Sequence, residues 1–156
     1  MNLTLQAFQD ELSIGLGNRR VAEADEIAWA CAWLEACGYP GLAILTEALA
    51  EARRNTELTR DALGLDLENV SCAFLAPQLI QEVEASGRVF LRNVRHGLYI
   101  LPFAVRSNLG IGCPVDVAFA LGGERTKNPY GEKLALAQAN GLTIDDALWA
   151  QVRAVS

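Results

Sequence analysis

The chain has 156 residues, 51% of them hydrophobic and 21% charged, enough apolar material for one globular core. Its net charge of −6 and pI near 4.8 speak against a duplex nucleic-acid binder, which needs clustered Lys and Arg to neutralise phosphates. No apolar run approaches the roughly 20 residues of a membrane span, and the N-terminus lacks an export-signal layout, so a cytoplasmic protein without membrane contact is expected.

The front half reads as helices. Thr4 is placed to cap a helix whose Leu5, Phe8, Leu12 and Leu16 repeat at helical spacing, until Gly15 and Gly17 weaken it and a loop follows at Asn18. A second helix over residues 21–37 puts Ala24, Ile27, Cys31 and Leu34 on one stripe, with Trp29 and Trp33 four apart beside it. Gly38 stops this helix and Pro40 lies beyond. Gly41 opens a third, with Leu42, Leu45, Leu49 and Ala52 in step, and Arg53 and Arg54 answer the negative pole at its end. The pattern then predicts a short helix over residues 56–63, ending at Gly64.

After Ser71 the period changes. Beyond an apolar run at 72–75, Pro77 suits the first turn of a helix reaching Ser86, with Gly87 placed to end it. Residues 88–94 and 98–101 read as strands joined by a hairpin turn at Arg95, His96 and Gly97. Pro102 starts a helix over 103–109 in preference to prolonging a strand at a sheet edge. A last strand is expected at 115–121, then a helix capped by Asn128 and begun by Pro129 that runs to Ala139. Thr143 with Asp146 makes a variant capping box for a closing helix carrying Leu148, Trp149 and Val152. The whole predicts an α+β fold, with α/β as the alternative: a helical N-terminal half followed by a small sheet with interspersed helices, residues 1–156 forming one domain.

Up to Val70 there are 12 acidic and 5 basic side chains, and from Ser71 onward 7 acidic and 8 basic, so the chain has an acidic front and a mildly basic back. A mean hydropathy of +0.17 is high for a soluble monomer and points to a homodimer that covers apolar surface. Cys31, Cys37, Cys72 and Cys113 sit among apolar residues without a CxxC pair, and His96 is the single histidine. They read as reduced core thiols, and no metal site is expected.

One loop has the makings of a ligand site. Gly122, Gly123, Arg125 and Lys127 lie between an expected strand and a helix start, where free N–H groups and two cations can hold a phosphate or carboxylate, and Lys133 lies one turn further on. This matches no P-loop or dinucleotide fingerprint, and a solvated connector explains it as well. His96 with Cys113 as base and nucleophile has nothing to place the two together, and a solvated turn histidine is the plainer reading. Arg88 and Arg92 can share a strand face and clamp an anion, or simply protect a charged edge. Trp29 and Trp33 read as core or dimer anchors in preference to a ligand cage. Glu23, Asp25 and Glu26 suit a helix start, as do Asp145 and Asp146.

The Ala-rich stretch with Trp29 and Trp33 that ends in Gly38-Tyr39-Pro40-Gly41, together with the later Leu101-Pro102-Phe103, resembles an uncharacterised bacterial family of small proteins, a domain of unknown function. The resemblance implies a fold and a bacterial source and supplies no catalytic residues. The same N-terminal helix is faintly similar to the malate, lactate and ureidoglycolate dehydrogenase family, where such a helix leads into a Gly-x-x-Ser-His-Gly turn. With Gly41 on the last glycine, Tyr39 and Pro40 stand at the serine and histidine. Proline cannot transfer a proton, so the catalytic histidine is unmatched and the activity does not carry over. The expectation is therefore a soluble interaction or structural domain that forms a homodimer, with no assignable catalysis or cofactor. The alternative is an anionic small-molecule binder or enzyme that uses Gly122, Gly123, Arg125, Lys127 and Lys133.

Overall fold

The computed structural model describes residues 1–58, 60–62, 64–86, 89–108 and 130–153. The fold is α+β, helical at its front, as the periodicity predicts. Strand β1 (Asn2–Leu3) leads into α1 (Leu5–Asn18), where Thr4 Oγ1 accepts the Ala7 N–H at 3.1 Å. Phe8, Leu12 and Leu16 are buried. Helix α2 (Ala24–Ala36) begins three residues later than expected, because Glu23 takes a left-handed conformation at φ 57° that helix geometry cannot contain. Ala28, Ala30, Cys31, Ala32 and Leu34 are buried on several faces of α2, which marks it as the central helix.

The end of α2 is set by Gly38 at φ 85°. Tyr39 N–H returns to Leu34 O at 2.8 Å and Gly38 N–H to Glu35 O at 3.1 Å, the paired bonds of a Schellman cap. Helix α3 (Gly41–Leu49) then packs back against α2 so tightly that a Cβ on Gly41 would lie 2.9 Å from both Cys31 O and Leu34 Cβ. Only glycine permits that approach.

Among the described residues of 56–63, the expected helix is not formed. Instead β2 (Arg60–Asp61) pairs antiparallel with β3 (Gly64–Asp66). Gly64 turns at φ 107°, and a Cβ there would fall 2.1 Å from the Phe90 carbonyl oxygen, so strand pairing overrides the local helical pattern. Strand β3 pairs parallel with β4 (Leu91–Arg92), giving the order β2-β3-β4.

The expected hairpin of 88–94 with 98–101 is also replaced. After His96, a 3-10 turn (Gly97–Tyr99) enters α5 (Ile100–Arg106), with Pro102 in the first turn, where its missing N–H costs nothing. The apolar run at 98–101 is thus buried helix, since periodicity cannot separate the two in so short a run. Before it, α4 (Cys72–Ser86) starts five residues ahead of Pro77 because Ser71 caps it, Oγ accepting the Ala73 N–H at 3.1 Å. Pro77 lies inside this helix.

Helix α6 (Gly131–Asn140) ends at Gly141, and β5 (Leu142–Thr143) pairs antiparallel with β1, Leu3 against Leu142, in a small sheet that the sequence did not announce. Thr143 is consumed by that strand. Helix α7 (Asp146–Arg153) is capped instead by Asp145, whose Oδ1 accepts the Leu148 N–H at 3.0 Å. Trp149 stacks on Phe8 with ring centres 5.1 Å apart, joining α7 to α1. Among the described residues, no helix is long and apolar enough to cross a membrane. The strand expected at 115–121, the helix start at Asn128 and Pro129, Gly87, Arg88 and Cys113 lie outside the described residues.

Candidate functional site

Of the loop residues singled out from sequence, Gly122, Gly123, Arg125 and Lys127 lie outside the described residues. Lys133 lies within them. It sits in the first turn of α6, where the helix dipole opposes a cation. The conflict is resolved by another helix: its Nζ donates to Cys37 O at 3.4 Å, at the negative end of α2.

That placement puts Lys133 in a groove of about 550 Å³, lined also by Glu35, Gly38, Tyr39, Asn140 and Thr143. The α2–α3 turn forms one wall, and the end of α6 with β5 the other. Glu35 is half-buried, and burial raises its carboxyl above the ordinary range, while the Gly41 backbone N–H, by hydrogen bonding to the carboxylate, acts in the opposite direction. Lys133 and Glu35 line the same groove without forming an ion pair with each other. Burial pushes the neighbouring Cys37 thiol up to about 11, against a downward pull from Lys133, so it stays protonated at neutral pH.

A second groove of about 460 Å³ runs past Thr4, Gln6, Gln9, Trp29 and Arg106. Here the guanidinium of Arg106 lies 4.3 Å from the Trp29 ring centre and pairs with Glu26 at 2.8 Å. Trp33 is different: it is 5% exposed and packs on Tyr130 at 4.8 Å. Both tryptophans line this groove, but Trp33 is nearly all buried in the core while Trp29 is only partly covered.

The turn around His96 forms a constellation that sequence reading missed. Ser71 Oγ and His96 Nδ1 are 2.6 Å apart, and His96 Nε2 lies 3.7 Å from Glu47 Oε2. Arg95 pairs with Glu47 at 3.2 Å and with Glu51 at 2.5 Å. The histidine side chain is only 11% exposed, so the solvated-turn reading is overturned. Serine, histidine and glutamate are the residue types of a nucleophilic triad. Ser71, however, is fully buried and its Oγ is engaged in capping α4, out of reach of an acyl group. The cluster is a clasp joining α3, the start of α4 and the 95–96 turn. Ser71 just before an apolar run was its one visible signal, that of a helix cap.

Arg92 is held by Asp61 at 2.6 Å and is not poised as an anion clamp. Among the described residues, no group of three His, Cys, Asp or Glu is placed to hold a metal ion. Comparison of the chain with protein-family models, curated proteins and solved structures finds no match, and neither family resemblance gains support from it.

Proposed function

We propose that the chain is a small-molecule binding protein that seats an organic anion on Lys133, in the groove between the α2–α3 turn and the end of α6. The observation that carries this reading is the position of Lys133. A cation anchored by one carbonyl contact has ammonium donors left over, in a groove whose 550 Å³ falls within the size of small-molecule sites. Tyr39, Pro40, Ala137 and Leu142 supply apolar wall, and Asn140 and Thr143 supply neutral polar groups. Titration with propionate and butyrate, followed by backbone NMR, is expected to shift Gly38, Lys133 and Asn140. Lys133→Ala should weaken binding about ten- to a hundredfold, the loss of one charge-assisted hydrogen bond. Carboxylates that shift none of these resonances overturn the reading.

The homodimer is a separate proposal. Phe90 and Leu136, 67% and 61% exposed, are apolar surface that favours it, whereas Trp33 is spent in the core. Sedimentation at micromolar concentration should give twice the 16.9 kDa chain mass. A single chain mass overturns it.

A further inference from the structure

Two opposite charges line one groove, come from different helices, and do not neutralise each other. Glu35 is half-buried at the end of α2, and the Lys133 ammonium donates to the Cys37 carbonyl at 3.4 Å. Lys133 is engaged by the end of α2, and the two charges form no ion pair with each other. A groove built this way presents one positive and one negative group to whatever enters it.

A simple monoanion drawn to Lys133 meets repulsion from Glu35, and a simple cation meets it from Lys133. A molecule carrying both charges satisfies both groups. We propose that the groove selects a zwitterion, an amino acid of a few carbons whose carboxylate rests on Lys133 and whose ammonium rests on Glu35. This rests on the binding reading above and gives it a ligand class. Asn140 and Thr143, on the same groove, offer neutral hydrogen bonds to either end.

Matched probes test it by calorimetry: β-alanine against propionate, and 4-aminobutyrate against butyrate, on the full chain. In at least one pair, the amino member should bind tenfold tighter or more. Glu35→Gln, which keeps the shape of the side chain and removes its charge, should abolish that preference and, with the repulsion gone, bind the two simple carboxylates more tightly than the native chain does. Lys133→Met should abolish binding of all four. If the acids and their amino analogues bind equally, or if the preference survives Glu35→Gln, the zwitterion inference is wrong and the anion site stands. If none of the four binds, both fall. An unchanged circular dichroism spectrum in both variants excludes unfolding as the cause of a loss.

Discussion

The α2–α3 elbow and the segment from Arg60 to His96 are held together by different forces. At the elbow, Cys31, Leu34 and Leu42 are fully buried, and Tyr99, itself fully buried, donates its hydroxyl to Gly41 O at 2.6 Å. The second segment has strands of two or three residues and left-handed turns at Glu68, Asn69, Asn93 and His96. Leu65, Leu67, Ala73 and Leu79 anchor this segment in the common core, but its strands and turns add polar ties that the elbow lacks, such as Leu67 N–H to Arg92 O at 2.9 Å and Cys72 N–H to Arg95 O at 2.9 Å, with part-exposed ion pairs around them. Packing resists losses of volume poorly and is indifferent to pH. A polar lattice fails in smaller steps, when a partner is removed or protonated.

The largest expected effect therefore lies at the elbow. Leu34→Ala removes a fully buried side chain that Gly41 packs against, and should cost about 2–5 kcal/mol, read from urea denaturation at neutral pH. A cost below about 1 kcal/mol would mean that α3 can collapse onto the cavity and that the elbow is looser than its contacts imply. The same packing shields the elbow's thiol: burial holds Cys31 far above its ordinary range. The polar segment answers with Ser71→Ala, which deletes the cap of α4 and the partner of His96 Nδ1 together. A cost of about 1–2 kcal/mol is expected, with faster amide exchange at Ala73 and Phe74. Faster exchange confined to α3 would place the clasp's role elsewhere.

The same division decides what can be read from the sequence. Helices α1, α2 and α3 are legible because Phe8, Leu12 and Leu16, or Leu42, Leu45 and Leu49, repeat at a period that burial enforces, and because Thr4 and Gly38 carry their caps locally. The three-stranded sheet is not legible. Its strands are too short for alternation to register, and Gly64 looks like a helix stop until the Phe90 carbonyl against it is known. Residues 98–101 are ambiguous for a physical reason: an apolar run of four fits a buried strand and a buried helix equally. Of the candidate site, Lys133 is legible as a cation near a helix start. Its partner Glu35, nearly a hundred positions earlier, carries no local signal, because only the return of α6 to the end of α2 brings the two to one groove.

The smallest expected effect separates the two regions most cleanly, since it depends on pH. The Asp66 carboxylate accepts from the Asn93 side-chain amide at 2.8 Å and from the Glu68 backbone N–H at 2.9 Å, with Arg92 adding attraction. These partners, the Asn93 amide first, hold it below the ordinary carboxylate range. A carboxyl that is more acidic in the folded than in the unfolded chain binds fewer protons when folded, so its contribution is complete above the unfolded value near pH 4 and is lost as the pH falls through the folded one. Asp66→Asn removes the ionised acceptor at every pH. The stability gap between the native chain and this variant should therefore be greatest near pH 6 and shrink toward pH 3. The deficit of Leu34→Ala, which involves no proton, should stay constant over the same range. A gap for Asp66→Asn that does not change with pH would show that the protonated carboxyl serves there as well as the carboxylate, and that hydrogen bonding without charge sustains the sheet.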